Sequence, residues 1–165
     1  MRIWKNPNFY LIVGLLVMAV LFYSSYQTYE QQSQIGLLEN VLKGEPFKDK
    51  LMNVRFMYAG SEVSIQAKGY FSFVEFFIRK AAHFMTYFLL GGTFCLALFY
   101  KLKNIWWSAF FALLAAAGYA GMDEFHQMLT GGRTPLFQDV MLDAAGALTA
   151  ILLVIVVTSI KKARR

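Results

Sequence analysis

Four apolar stretches, each close to the length a helix needs to cross a bilayer, constrain this chain more than any other feature. A hydrocarbon core about 30 Å thick takes roughly 20 helical residues. "FYLIVGLLVMAVLFYSSY" runs from Phe9 to Tyr26, "AAHFMTYFLLGGTFCLALFY" from Ala81 to Tyr100 and "IWWSAFFALLAAAGYAGM" from Ile105 to Met122. The fourth, "AAGALTAILLVIVVTSI" from Ala144 to Ile160, reaches full length by beginning near Phe137, which puts Asp139 and Asp143 on its first turns. Spans at about 9–26, 81–100, 105–122 and 138–160 therefore predict an all-α, multi-pass protein of the cell membrane, one domain over residues 1–165. The hydrophobic share of 58% agrees, since soluble domains hold about 45–50%. After the first span come Ser24, Ser25 and Tyr26 with no A-x-A-like cleavage site, which favours an uncleaved helix over a signal peptide. The single cysteine, Cys95, falls inside the second span and excludes an intramolecular disulfide.

Charge sets the expected orientation. Arg2 and Lys5 at the start, Lys101 and Lys103 between the second and third spans, and Lys161, Lys162, Arg164 and Arg165 at the end come with no acid among them. All ten acids lie in the two other connections, 27–80 and 123–143. Basic flanks mark the cytoplasmic side, so both termini are expected inside, and the connection between the first and second spans outside. The net charge of +6 is then explained by anionic lipid headgroups, without nucleic acid as a partner.

The first connection carries a possible short helix at "IGLLENVL", a break at "KGEPFKDK" and two short strands turned near Gly60 and Ser61. "GYFSFVEFFIRK", Gly69 to Lys80, suits an interfacial helix or an extension of the second span, with Glu75 and Arg79 at the i, i+4 spacing of an ion pair. Its Phe and Tyr residues suit the headgroup level.

With this topology the ionisable residues of three helix ends converge at one membrane surface. Lys80, His83 and Tyr87 lie along the second helix; Asp123, Glu124, His126 and Gln127 along the third; Asp139 and Asp143, four apart and on one face, open the fourth. Gly131, Gly132 and Pro135 form a tight link that carries Arg133. Small residues at Ala115–Gly121, Ala144–Ala147 and Gly91–Gly92 permit close helix packing beneath this end.

Three readings of the cluster stay open at this point. It is an ion-pair and hydrogen-bond network that ties helix ends together. It is a site in which Asp123, Glu124, His126 and His83 supply acid and base groups, while Lys80, Tyr87, Gln127, Arg133, Asp139 and Asp143 bind. Or its carboxylates hold a divalent cation through oxygens. No zinc-ligand spacing, G-x-S-x-G elbow or Walker loop is present, so no metal ligands are assigned and serine-hydrolase and nucleotide-driven chemistry lose support.

"IRKAAHFMTYFLLGG" (Ile78–Gly92) and "DEFHQMLTGGRTPLFQDVMLDAAGA" (Asp123–Ala147), in this order and separated by one span, resemble the VanZ-like family of small bacterial membrane proteins. The resemblance implies a role at the cell envelope, in a Gram-positive bacterium, in resistance to teicoplanin and similar lipoglycopeptides. Its implied partners are membrane lipid and a lipid-linked or cell-wall precursor or the lipoglycopeptide itself. The alternative it leaves is an intramembrane enzyme acting on a lipid-linked phosphate or cell-wall precursor, with Arg133 and Lys80 holding phosphate. Thr86 departs from the family pattern, because many members carry an acid there. A packing module without chemistry is a third class, and a transporter is disfavoured by the lack of an inverted repeat or a broken span.

Overall fold

The computed structural model describes residues 6–131 and 134–164. Arg2, Lys5, Gly132, Arg133 and Arg165, on which parts of the charge pattern and the candidate site rest, lie outside them. Among the described residues, four helices are long and apolar enough to span a membrane: α1 (Pro7–Tyr26), α6 (Tyr70–Leu102), α7 (Ile105–Gly131) and α8 (Phe137–Ala163). Between α1 and α6 come α2 (Tyr29–Gln32), α3 (Ile35–Val41), α4 (Lys48–Leu51), strands β1 (Phe56–Tyr58) and β2 (Ser61–Val63), and α5 (Ile65–Lys68). The all-α membrane architecture expected from the apolar segments is present, and the two short strands expected near Gly60 and Ser61 form a small hairpin.

Local chemistry sets the helix ends. Asn6 caps α1 by accepting from the Asn8 N–H at 3.0 Å, with Pro7 at the first helical position. Asn104 caps α7 through the N–H groups of Trp106 (3.0 Å) and Trp107 (3.2 Å). The hairpin turns at Ala59 and Gly60, both at positive φ, and pairs Tyr58 with Ser61 and Phe56 with Val63.

The helix that contains the second span begins at Tyr70, so "GYFSFVEFFIRK" extends that span and is not a separate surface helix. Its 33 residues give a rod of about 50 Å at ~1.5 Å per residue, well beyond a hydrocarbon core of about 30 Å. The connection between α1 and α6 wraps the projecting turns: Val63, Ile65, Tyr70 and Phe73 form a small core of their own, flanked by Leu42, Leu51 and Phe56. α7 likewise continues past Met122 through Gly131, which carries the whole "DEFHQMLT" segment on a helix.

Within the bilayer, packing is close because the seam residues are small. Ala112, Ala116 and Ala120 form a fully buried stripe on α7. The tightest crossing joins α6 and α8: a Cβ on Gly146 would sit 2.3 Å from the Phe84 carbonyl oxygen, and one on Gly91 2.7 Å from Ala147. Gly118 and Gly121 of α7 face open space, so the glycine contacts belong mainly to the second and fourth spans. Cys95 is buried beside Ala112 and Ile151 as an apolar packing group. Large apolar residues such as Leu16, Trp106, Phe110 and Leu152 stay exposed around the bundle, as expected where the surrounding solvent is lipid.

Candidate functional site

The packing seams of α6, α7 and α8 change character together at one end of the bundle. On α7 the buried positions Ala116 and Ala120 continue as Asp123 and Gln127; on α8 Ile151 and Ala147 continue as Asp143 and Asp139; on α6 Leu90 and Tyr87 continue as His83 and Lys80. Side chains that recur at three or four residues share a helix face, so the helix packing itself aims these polar groups at one another. Asp123 and Glu124 are each 5% exposed and Asp143 1%.

Several of the expected site residues are held by partners. Lys80 Nζ donates to both carboxylate oxygens of Asp139 at 2.6 Å. Tyr58, reaching in from β1, donates its hydroxyl to the same carboxylate, and its ring lies 4.9 Å from Lys80 Nζ. Burial and this hydrogen bond hold the Tyr58 hydroxyl well above the usual phenol range. Glu124 Oε2 accepts from the Leu136 N–H at 2.8 Å. Leu136 precedes α8 and offers no side-chain cap, so Glu124 supplies one from a neighbouring helix and places a negative charge at the positive end of α8. His126 turns towards α1: its ring stacks on Phe22 (centroids 4.6 Å apart) and Nδ1 meets Ser25 Oγ at 2.8 Å. One turn on, Thr130 donates to the Ser25 carbonyl at 2.8 Å. Successive helical residues are rotated by about 100°, and this carries His126 off the Asp123 face while Gln127 stays on it.

A smaller group adjoins these contacts, because Ser25 also reaches the Asp123 carboxylate. His83 Nδ1 approaches Asp143 Oδ2 at 3.4 Å, the long limit of a hydrogen bond. Gln127 Nε2 donates to Asp123 Oδ2 at 3.0 Å. The other carboxylate oxygens, Asp123 Oδ1 and Asp143 Oδ1, are buried with no hydrogen-bond partner, and so is the Tyr87 hydroxyl on a side chain that is 0% exposed. Both carboxylates lie within electrostatic range of that hydroxyl. Buried polar atoms are nearly always paired, and an orphan costs about 1–3 kcal/mol. Three orphans on three helices in one cluster therefore mark the place where the bundle departs from pure packing. Thr86 donates its hydroxyl to the Ala82 carbonyl of its own helix at 2.7 Å.

Arg133, expected to complete the cluster, lies outside the described residues. Among those residues no group of three or more His, Cys, Asp or Glu side chains is arranged to hold a metal ion. A family model described as VanZ/LLP1 matches residues 9–158. The chain belongs to the VanZ/LLP1 family. It is thus a multi-pass membrane protein of VanZ type, and the two motifs quoted above fall inside the matched region. No curated protein and no solved structure matches it significantly.

The residues that sequence reading missed come from the first connection and from α1. Tyr58 binds a residue 81 positions away and Ser25 one 101 positions away. Neither has a local signal beyond being a polar tip in an apolar neighbourhood.

Proposed function

We propose that this VanZ-family protein acts at the outer face of the cell envelope, where His83, Tyr87, Asp123 and Asp143 bind part of an envelope component and lower susceptibility to teicoplanin-type lipoglycopeptides. The observation that carries this reading is the set of three buried, unpartnered oxygens at one bundle end. A ligand that offers hydroxyl, amide or ammonium donors would satisfy the two carboxylate oxygens, and the Tyr87 hydroxyl can donate or accept. With Lys80 held by both oxygens of Asp139, the described residues of the cluster favour a donor-rich group of a cell-wall precursor over its phosphate.

Orientation belongs to the same proposal. The carboxylate-bearing end faces outward because the opposite end carries the basic flanks. A reporter fused at the C-terminus is expected to signal from the cytoplasm; a signal from outside reverses the assignment.

A second reading draws on the contact between His83 and Asp143. A carboxylate that orients an imidazole beside a buried site is also a general-base arrangement, as required of an enzyme acting on a lipid-linked precursor. Expression of Asp143→Asn and Tyr87→Phe in a teicoplanin-sensitive Gram-positive host tests the site as a whole. Both should lose protection while accumulating normally in the membrane, and full protection by both variants rules the site out. His83→Gln separates the two readings: under binding alone it keeps much of the protection, and under catalysis it loses all of it.

A further inference from the structure

The opposite end of the bundle holds a second built feature. A groove of about 1410 Å³ runs between α6 and α8 and ends at the turn into α7. Leu89, Leu96, Leu153 and Val157 line its length. At its mouth stand Lys103, Lys161 and Lys162. Because every acid of the chain lies in 27–80 or 123–143, these three ammonium groups have no carboxylate at their end of the bundle among the described residues.

We infer that this groove holds one anionic phospholipid, its acyl chains along the apolar walls and its phosphate on Lys103, Lys161 and Lys162. Dimensions support that occupant. From Leu89 to Lys103 is 14 residues, about 21 Å of helix, which covers one leaflet of a core about 30 Å thick together with its headgroup level. Charge supports it too, since an apolar cleft that opens on uncompensated lysines complements a lipid with a negative headgroup and not a zwitterionic one. The backbone at Lys103 adds a separate observation. This residue ends α6 in the left-handed region (φ 57°), a position that glycine or asparagine usually fills. A lysine there accepts conformational strain and in return sets its ammonium, which lies 5.8 Å from the Tyr100 ring, at the mouth of the groove.

The test uses the full chain in mild detergent, titrated with equal amounts of phosphatidylglycerol and phosphatidylcholine and read by native mass spectrometry. One phosphatidylglycerol should stay bound at activation energies that strip other lipid, with a preference of roughly tenfold or more from the three lysines. Glycerol phosphate, which lacks acyl chains, should fail to displace it. A Lys103→Gln/Lys161→Gln/Lys162→Gln variant, altered only at exposed positions, should lose the preference. A Leu89→Trp/Leu153→Trp variant, with both sites half exposed and the lysines kept, should lose the retained lipid. Equal retention of both lipids by the unaltered chain overturns the inference. So does an unchanged preference in the lysine variant, an unchanged lipid count in the groove-filled one, or a second copy of the chain seated there in place of lipid.

Discussion

Two buried carboxylate regions of this molecule look alike in exposure and differ in how their oxygens are used. Glu75 is 1% exposed and accepts from the Tyr29 hydroxyl (3.0 Å), the Ser33 hydroxyl (3.0 Å) and the Gln34 N–H (2.6 Å). Asp123 and Asp143 are buried almost as deeply, yet each leaves one oxygen without a partner. The first carboxylate is fully used: on α6 it collects the donors of the connection that follows α1 and ties that connection to the helix, and the one buried atom left without a partner there is a donor, Arg79 Nη1. The second region is arranged but incomplete. Burial of an acid inside a membrane protein is therefore a weak sign of function by itself, and the state of its lone pairs is the stronger one.

The largest loss of stability is expected for Glu75→Ala. It leaves two hydroxyls and a backbone N–H without their acceptor, at about 1–3 kcal/mol for each donor that stays buried. Thermal unfolding in detergent should fall steeply, with proteolysis opening within residues 27–68; a melting point equal to that of the unaltered chain would erase the distinction between the two regions. Next is Lys80→Ala, which strips Asp139 of its cation but leaves it the Tyr58 hydroxyl. A cost of about 1–3 kcal/mol is expected, read as a lower unfolding midpoint. Tyr58→Phe removes one hydroxyl from the same carboxylate and should cost only about 1 kcal/mol. It sharpens the comparison by testing whether the hairpin merely steadies the Lys80–Asp139 pair: loss of protection against teicoplanin without loss of stability would instead place Tyr58 in the binding site.

Much of this architecture was readable in the sequence because membrane spans depend on one local quantity, apolar length against a fixed thickness. The convergence of Lys80, His83, Tyr87, Asp123 and Asp143 followed from helical periodicity applied near the span ends. Other features did not follow. Glu75 and Arg79 have the spacing of an ion pair, but Glu75 turns to residues 29–34, and Arg79 lies over the Tyr29 ring and donates to Gln32 at 3.0 Å. Those partners sit more than forty residues away in sequence, beyond any periodic signal. The i+3 spacing predicts His126 on the Asp123 face, yet its ring turns to Phe22 and Ser25. Glu124 has no local sign of its capping role, because the N–H it accepts from belongs to the start of the next helix. The extension of the second span back to Tyr70 was one of two readings that the sequence left open, whereas the continuation of the third to Gly131 had no apolar signal to mark it.

The most direct measurement is a paired one on Asp123→Asn, scoring thermal unfolding and teicoplanin protection in the same preparation series. The amide oxygen of the new side chain can still accept from Gln127, while its NH₂ replaces the unpartnered acceptor. An unfolding midpoint close to that of the unaltered chain is expected, since one buried unpartnered atom is exchanged for another and the bond from Gln127 is kept, together with loss of protection. A variant that unfolds and loses protection in parallel, or that keeps both, would contradict it and return the cluster to an internal network of charges.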